Sequence, residues 1–368
     1  MQMILTFLGK GGSGRSAIAI AAAYQLSQSG KRVLLATQDP TTELFLETPL
    51  SSTPTRIASQ FWAVNLGATL LLEKSWEEVK NVEAQYLRSP LLKEVYGQEL
   101  AVLPGMEQAL ALNALREYYE SGDYDVIIFD GAGDLSTLRM FAIPEHLSWY
   151  VRRFRDLFLN SDLGKAISPF IQPLSSAILN VTWTAEDLTD NPDANQANQM
   201  LERGKNALRE GKVAGYLVTA DHPYSLKSAK FLWGSAQQSG LMIAGALLNQ
   251  ETEVRQVVQS EFSPLPVTPL PSVEPGQWEV LGKALPDLLG AVSQAPPTVE
   301  IDRTQRSVKV FLPGFSKEQI KLTQPQTQQE ITIDAGDQRR NIQLPPPLKG
   351  QPVKGAKFLD DGHLLVSF

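Results

Sequence analysis

The first forty residues alternate short apolar runs with a helical pattern. Residues 3–8 are continuously apolar, a glycine-rich turn follows at 9–14, and the stretch up to Gly30 is rich in helix formers. Glycine is the usual residue just past a helix end, so Gly30 indicates where that helix stops. A second apolar run, residues 33–37, ends just before Asp39. Strand, helix and strand in this order predict a βαβ unit, and therefore a parallel sheet.

Three later runs have the same continuous apolar character, namely 126–129, 213–219 and 242–248. Runs of this kind are typical of parallel strands that are buried on both faces. Between them lie long helical patterns over roughly 74–119 and 144–210. We therefore predict a Rossmann-like α/β fold with a helical subdomain inserted between its strands.

The pattern changes toward the C-terminus. Residues 263–276 contain five prolines, which exclude a helix and predict an extended segment. Beyond the stretch SQAPPT (293–298), apolar and polar residues alternate, as in VKVFLP and LLVSF, which predicts short strands. Residues 298–368 carry ten Lys and Arg against eight Asp and Glu, whereas the whole chain has a net charge of −7. We predict an α/β domain over 1–295 and an all-β sandwich over 298–368.

The composition excludes several kinds of chemistry. The chain has no Cys, which rules out disulfides, thiolate chemistry, iron–sulfur clusters and zinc sites built on CxxC. His146, His222 and His363 are far apart, which argues against a metal site made of histidines. The negative net charge argues against a nucleic-acid partner. No apolar run reaches the about 18 residues of a membrane span, so we expect a cytoplasmic protein.

Residues 9–16, Gly-Lys-Gly-Gly-Ser-Gly-Arg-Ser, nearly match the phosphate-binding pattern GxxxxGK[ST]. Between a strand and a helix, the backbone N–H groups of such a loop surround a phosphate, and the helix dipole adds to the attraction. Ser16 takes the position of the Mg²⁺-binding hydroxyl, whereas Arg15 stands where the pattern has Lys. We predict ATP or ADP with Mg²⁺ as ligands; a glycine-rich turn without a ligand is the alternative. The predicted nucleotide-binding residues of the loop are Gly11, Gly12, Ser13, Gly14, Arg15 and Ser16.

Four further segments follow the loop in a distinctive order. They are TQDPTTEL (37–44), LPGMEQALALNAL (103–115), YDVIIFDGAGDLSTLRMFAIPE (124–145) and GALLNQ (245–250). With the extra lysine in the loop, they resemble the ArsA and tail-anchored-protein-targeting ATPases, which share their unusual loop with ParA/MinD relatives. In that comparison, 37–44 resembles switch I and 124–145 resembles switch II. Each segment alone is a weak signal, whereas five in family order are specific.

The resemblance implies a role for each matching residue. Asp39 of switch I would position the attacking water, and Asp130, at the end of an apolar strand, would hold Mg²⁺ through water. Lys10 would reach across a homodimer to the partner's phosphates. Asn249 and Gln250, at the end of a strand, would contact adenine. The alternative interpretation of these positions is ordinary turn and loop polarity.

The sequence departs from the family where the chemistry lies. Arg15 replaces the loop lysine, Thr42 replaces a switch I histidine, and Gly-Asp-Leu-Ser at 133–136 replaces Thr-Gly-His. We therefore expect nucleotide binding with weak ATP hydrolysis. Relatives clamp their dimers with a CxxC zinc site, which a chain without Cys lacks, so we expect a homodimer without zinc.

Apolar residues recur at three- and four-residue steps after Pro144. Helices in this region form a groove for hydrophobic client segments in the family, whereas ordinary core packing is the alternative. We further expect the C-terminal domain to lie apart from this groove. The predicted groove residues are Leu147, Tyr150, Val151, Phe154, Leu157 and Phe158.

The C-terminal segments VKVFLPGFSKEQIKL and GAKFLDDGHLLVSF resemble the α-crystallin domain of small heat-shock proteins. A branch of the ArsA-like family carries such a domain. No I-x-I motif follows it in this sequence, which argues against large oligomers. An unrelated small β-sandwich that caps the chain is the alternative.

Three functions remain open at this stage. The first is a nucleotide-gated dimeric ATPase that binds or shields hydrophobic protein segments. The second is a nucleotide-binding scaffold or holdase without turnover, which the change at Arg15 favours. The third, a ParA/MinD-like positioning ATPase, is disfavoured by the crystallin-like segments. An oxyanion pump is disfavoured because the family binds arsenite through thiols, and this chain has none.

Overall fold

The computed structural model describes residues 2–73, 105–160 and 196–368, with the backbone alone for 151–160 and 196–197. An eight-stranded sheet forms the centre of its larger part. The strands are β1 (Met3–Leu8), β2 (Val33–Thr37), β3 (Thr55–Ala58), β4 (Phe61–Asn65), β5 (Val126–Asp130), β6 (Val213–Thr219), β7 (Met242–Asn249) and β8 (Val267–Leu270). Their spatial order is β3-β4-β2-β5-β1-β6-β7-β8, and all neighbours are parallel except β3 and β4.

Helices cover both faces of this sheet, which explains why its parallel strands are apolar throughout. One hydrophobic cluster includes Ile4 and Phe129, and the other, on the opposite face, includes Leu5 and Ile128. The α/β prediction is therefore confirmed. The helices are α1 (Arg15–Gln28), α2 (Thr41–Leu46), α3 (Met106–Ser121), α4 (Leu135–Asn160), α5 (Gln196–Arg209), α6 (Pro223–Gln238), α7 (Gln256–Glu261), α8 (Trp278–Ala284) and α9 (Leu288–Gln294).

The strands predicted from continuous apolar runs are all present, but β3, β4 and β8 were not predicted. β8 lies in the proline-rich segment and contains Pro269. A proline is tolerated there because β8 is an edge strand that pairs only with β7. Of the long helical patterns, α3, α4 and α5 lie in the described part; the remainder of 74–119 and 144–210 lies outside the described residues.

The C-terminal residues form two antiparallel sheets around a separate apolar cluster, as the alternating pattern predicted. α9 extends to Gln294, so the connecting segment is shorter than the sequence suggested. One sheet has the order β14-β15-β10-β9 and the other β11-β12-β13. The strands are β9 (Glu300–Asp302), β10 (Ser307–Phe311), β11 (Ile320–Thr323), β12 (Glu330–Ala335), β13 (Gln338–Gln343), β14 (Gly355–Phe358) and β15 (His363–Ser367).

This C-terminal β-sandwich packs directly on α4 and α6. The expectation that it lies apart from the groove stays a prediction, because most of the groove side chains lie outside the described residues. Trp149 Nε1 of α4 donates a hydrogen bond of 3.0 Å to the Glu330 carboxylate. On α6, the rings of Trp233 and Phe311 meet edge to face with centroids 5.1 Å apart. Phe311 belongs to the same apolar cluster as the α/β core, which provides the physical reason for docking.

Close backbone approach at Gly234 makes this docking possible. A Cβ atom on Gly234 would lie 2.1 Å from the Pro313 carbonyl oxygen and 2.7 Å from the Phe315 ring. Because a backbone carbonyl cannot rotate away as a flexible side chain can, any residue larger than glycine forces α6 and the β-sandwich apart.

We therefore predict that Gly234→Ala lowers the free energy of unfolding by about 1–3 kcal/mol, despite the higher helix propensity of alanine. Urea unfolding followed by circular dichroism measures the change. Lys227→Ala, at an exposed position of the same helix, is the matched control and should change stability by less than about 0.5 kcal/mol. Equal stability of the two variants would contradict the close docking.

Candidate functional site

The carboxyl ends of the parallel strands bring the predicted site residues to one edge of the sheet. β1 lies between β5 and β6. The chain runs from β1 through α1 to β2 on one side, and from β5 past β1 to β6 on the other, and open α/β sheets bind ligands where the strand order reverses in this way. The glycine loop joins β1 to α1, Asp39 follows β2, Asp130 ends β5, and Asn249 ends β7. Three segments that are distant in sequence therefore meet beside the glycine loop.

The loop itself is open and presents unpaired polar groups. Gly12 and Gly14 have φ of 80° and 91°, which only glycine adopts without strain. A Cβ on Gly11 or Gly12 would meet nothing within 4 Å, so the loop has room for a ligand on this side. α1 begins at Arg15 with no side-chain cap, and the buried Ser13 Oγ has no hydrogen-bond partner. An open helix N-terminus that follows a glycine loop fits a phosphate group.

Asp130 is a buried carboxylate, with 2% of its surface exposed. It accepts hydrogen bonds from Thr42 Oγ1 at 2.8 Å, Ser16 Oγ at 3.2 Å and Thr37 Oγ1 at 3.3 Å. Burial raises the pKa of Asp130, and the charge of Asp39 adds to this, against the hydrogen bonds from Thr42 and Ser16. Thr42 therefore supplies the shortest hydrogen bond to this carboxylate.

Asp39 is partly buried and lies on the other side of Ser16. Its carboxylate accepts bonds from the Thr41 backbone N–H at 2.8 Å, from Thr41 Oγ1 at 2.7 Å and from Ser16 Oγ at 3.3 Å. Burial raises the pKa of Asp39, but the bonds from Thr41 and Ser16 outweigh it, so the pKa lies below its usual range. Asp39 is therefore ionised at neutral pH.

The three oxygen-bearing side chains suit a hydrated Mg²⁺. Ser16 Oγ lies within 3.3 Å of both Asp39 and Asp130, and carboxylate and hydroxyl oxygens are the ligands that this hard cation prefers. In the described ranges, no group of three or more His, Cys, Asp and Glu could hold a metal by itself. In proteins, Mg²⁺ usually keeps several waters and takes one or two carboxylates together with phosphate oxygens as ligands.

Arg15 does not point into the loop. Its Nη1 donates to the backbone carbonyls of Gly131 and Ala132, at 3.1 Å to Gly131. A Cβ on Gly133, whose φ is 63°, would collide with the guanidinium, so glycine is needed there for this contact. The structure thus places Arg15 against the segment after β5 that the sequence analysis compared with switch II.

The other predicted residues surround the loop in different ways. Asn249 Nδ2 donates to the Ser13 carbonyl at 2.9 Å, so it holds the loop. Gln250 follows with a φ of 63°. Lys10 is exposed at the loop tip. Glu107, at the start of α3, accepts a bond of 3.4 Å from Gln38 beside Asp39.

The predicted groove is only partly within the described residues. Leu147 is half-buried and Tyr150 is 52% exposed on α4. The side chains of Val151, Phe154, Leu157 and Phe158 lie outside the described residues.

Sequence reasoning missed the threonines of the site. Thr37 Oγ1 lies 3.0 Å from Thr42 Oγ1, and Thr41 binds Asp39. The sequence did contain a sign of them, because three threonines flank Asp39-Pro40 just after a predicted strand. Asp39 was already a candidate site residue. Short polar side chains next to a buried carboxylate supply the donors that its burial requires.

A strand, a glycine loop and a helix, with carboxylates at the ends of the two neighbouring strands, define a P-loop nucleotide-binding protein. Residues 1–250 match the ArsA ATPase family, described as an anion-transporting ATPase, and residues 303–368 match the HSP20-like domain found in ArsA. The chain therefore belongs to the ArsA ATPase family, and membership implies nucleotide binding. Among the described residues, every helix is too short or too polar to cross a lipid bilayer.

Individual relatives resemble the chain over its length. A "Putative arsenical pump-driving ATPase" of Chlorobaculum tepidum is 25% identical over 385 residues, covering 97% of this chain and 94% of that protein. "Putative arsenical pump-driving ATPase 1" of Aquifex aeolicus is 24% identical, covering 98% and 99%. An "ATPase ASNA1 homolog" of Cryptosporidium parvum is 30% identical over 144 residues, covering 38% of this chain and 37% of that protein.

The raised pKa of Asp130 predicts a cost to stability. A carboxyl with a higher pKa in the folded than in the unfolded protein makes the folded state lose stability as pH rises from 3.8, its usual value, through the folded pKa. We expect Asp130→Asn to remove this loss, so that the variant gains stability over the natural protein as pH rises, until the difference levels off. Urea unfolding in the presence of a chelator, between about pH 4 and pH 8, measures it.

Asp125→Asn is the matched control. The Arg32 hydrogen bonds lower the pKa of Asp125 to about 2, so its ionisation favours the folded state. This variant should be less stable than the natural protein. The difference in stability should grow between about pH 2 and pH 3.8, the folded and unfolded pKa values of Asp125, and should stay constant above about pH 4. A loss of stability at Asp130→Asn that grows with pH would contradict our account of the buried carboxylate.

Proposed function

We propose that this protein binds ATP with Mg²⁺ at the glycine loop and hydrolyses it slowly. The observation that carries the proposal is the position of Ser16, whose hydroxyl lies within 3.3 Å of both Asp39 and Asp130 beside an open phosphate loop. Family membership supports the nucleotide and the reaction class.

Each residue would have a distinct task. The loop amides bind the phosphates, and Ser16 with Asp130 would hold Mg²⁺, which when bound neutralises charge on the β- and γ-phosphates. Asp39, ionised at neutral pH, orients a water by accepting a hydrogen bond from it. Asn249 keeps the loop in place through the Ser13 carbonyl.

Arg15 would make turnover slow. A guanidinium bound to the carbonyls of Gly131 and Ala132 has to leave them before it can reach a phosphate. Its planar fork is also wider than the compact ammonium for which such loops are shaped. A donor that is absent from the transition state costs about 10²–10³ in rate.

We therefore predict that Arg15→Lys raises kcat by about tenfold or more, with ADP affinity nearly unchanged. Steady-state phosphate release gives kcat, and calorimetry with ADP on the same preparation gives affinity. Arg15→Ala is the control, because it breaks the same carbonyl contacts without supplying an ammonium, and it should not raise kcat. Fast hydrolysis by the natural protein that falls in Arg15→Lys would overturn this assignment.

The absence of turnover in both the natural protein and Arg15→Lys, with ADP still bound, would favour the second function, a nucleotide-binding scaffold. The hydrogen bond from Thr42 to Asp130 is the observation that favours it, since it occupies a carboxylate oxygen that an active site would use for a water.

We further propose a homodimer in which Lys10 reaches the partner's nucleotide. Its exposure at the loop tip supports this, as does the resemblance of the loop to a family with this arrangement. The dimer would bind hydrophobic protein segments beside α4. Exposed Tyr150 supports an apolar surface there, and α4 begins directly after the segment that Arg15 contacts, which would link nucleotide state to that surface.

Mixing two inactive variants tests the action of Lys10 in trans. Lys10→Ala and Asp39→Asn should each lack activity, but a mixed dimer has one site with both residues intact. An equimolar mixture should therefore recover about a quarter of the natural activity, because half the dimers are mixed and each has one intact site. Light scattering with nucleotide and a zinc chelator checks that the dimer forms without zinc. A mixture as inactive as its components would show that Lys10 acts within its own subunit.

A further inference from the structure

A cavity of about 410 Å³ lies at the junction between the α/β part and the C-terminal β-sandwich. The middle of α4, the ends of α5 and α6, the segment around Thr298 and strand β13 form its walls. None of its lining residues belongs to the glycine loop or to the carboxylate site. Its volume is in the range of pockets that bind small molecules.

The lining of this junction cavity is strongly basic in a chain whose net charge is negative. Glu145 is its one carboxylate among the described residues. Two of its cations are already paired, Lys205 with Glu202 and Arg339 with Asp334, each at 2.6 Å. The basic lining residues are Lys205, Arg209, Arg303, Arg339 and Arg340.

Three arginines remain without an anionic partner in the described part of the chain. Arg209 and Arg303 are exposed at the cavity and make no side-chain hydrogen bond or ion pair there. Arg340 has no carboxylate oxygen within 4 Å. Like charges in one cavity repel each other, and the enclosed guanidinium of Arg340 is also removed from water, so an anion between them would be stabilising.

Arg340 is the most enclosed of the three. Its Nη1 donates to the Gln237 carbonyl at 2.6 Å and to the Thr298 carbonyl at 3.4 Å, and its Nη2 to Thr298 Oγ1 at 3.0 Å. A guanidinium has five N–H donors, so Nε–H and one Nη2 hydrogen have no acceptor in the described part. Two adjacent free donors of this kind match two oxygens of one oxyanion.

The local charges favour an anion at this position. Burial lowers the pKa of Arg340 to about 10; Glu145 opposes this, whereas Arg209 adds to it. Arg340 therefore remains a cation at neutral pH, although the nearby carboxylate makes no ion pair with it. A bound dianion would compensate the charges of Arg340 and Arg209 together.

We propose that the junction cavity binds a phosphate group carried by a small molecule, with the phosphate held by Arg340, Arg209 and Arg303. Arginine forks match the geometry of phosphate oxygens, which a single ammonium does not. The volume exceeds that of one phosphate ion, so the organic part of a phosphate monoester fits beside it.

Calorimetry on the full chain tests the site, with ribose 5-phosphate, inorganic phosphate and ribose as probes. We expect one ribose 5-phosphate per chain, about tenfold weaker binding of inorganic phosphate, and no binding of ribose. Equal affinity of the two phosphates would identify the free ion as the ligand and overturn the monoester. The titrations are repeated on Gly14→Ala, because a Cβ at this position would lie 2.3 Å from Asn249 Nδ2 and distort the glycine loop. This variant should lose ADP binding but keep ribose 5-phosphate in the junction cavity.

The variants separate this site from other basic surfaces. Arg209→Gln combined with Arg303→Gln should weaken ribose 5-phosphate binding by about tenfold or more, since each charged hydrogen bond is worth about that factor. Arg306→Gln, which removes an exposed charge three residues away from Arg303 and outside the cavity, is the control and should bind normally. The proposal is overturned if neither phosphate binds, if Gly14→Ala abolishes ribose 5-phosphate binding together with ADP binding, or if the double variant binds like the control. Arg340 is left unchanged in this test because its variants risk unfolding the junction.

Discussion

The buried carboxylate at the end of β5 is the constraint on which the site depends. Asp130 has almost no access to water, so its oxygens need donors from the protein. Thr42 from α2 and Ser16 from α1 supply them, and Thr37 of β2 adds a third. The same bonds that satisfy the carboxylate therefore fix the positions of two helices and a strand around the loop. Thr42 is therefore part of the hydrogen-bond network that holds the site together.

Local pattern was enough to predict the strands that carry the site, because parallel strands buried on both faces are continuously apolar and end at polar residues. β3 escaped prediction because it has only four residues and carries the exposed Arg56. β4 begins with a continuous apolar run of the kind that predicts a strand, and it was overlooked. The loop and its two carboxylates were predictable for the same local reason. The contacts of Thr42 and the direction of Arg15 were not, because each depends on an acceptor about 90 residues or more away in sequence.

The orientation of the Arg15 side chain gives the glycine loop a contact with the segment after β5. The carbonyls of Gly131 and Ala132 attract the guanidinium, and Gly133 leaves it room. The residue that would complete a phosphate cradle therefore joins the loop to the beginning of α4. The other half of α4 contacts the C-terminal β-sandwich through Trp149. One helix thus connects the nucleotide site with the far part of the protein.

The docking of the β-sandwich also limits how this architecture can vary among relatives. Phe311 completes a core that belongs to the α/β part, and Gly234 admits the Pro313 backbone where any side chain would collide. A β-sandwich exchanged from a distant relative would fold around its own apolar centre, yet would leave Trp233 of the recipient uncovered unless it also supplied a matching aromatic ring. Exchange of the β-sandwich alone, by recombination between α9 and β9, would therefore lower stability. The docking favours inheritance of the whole chain as one unit.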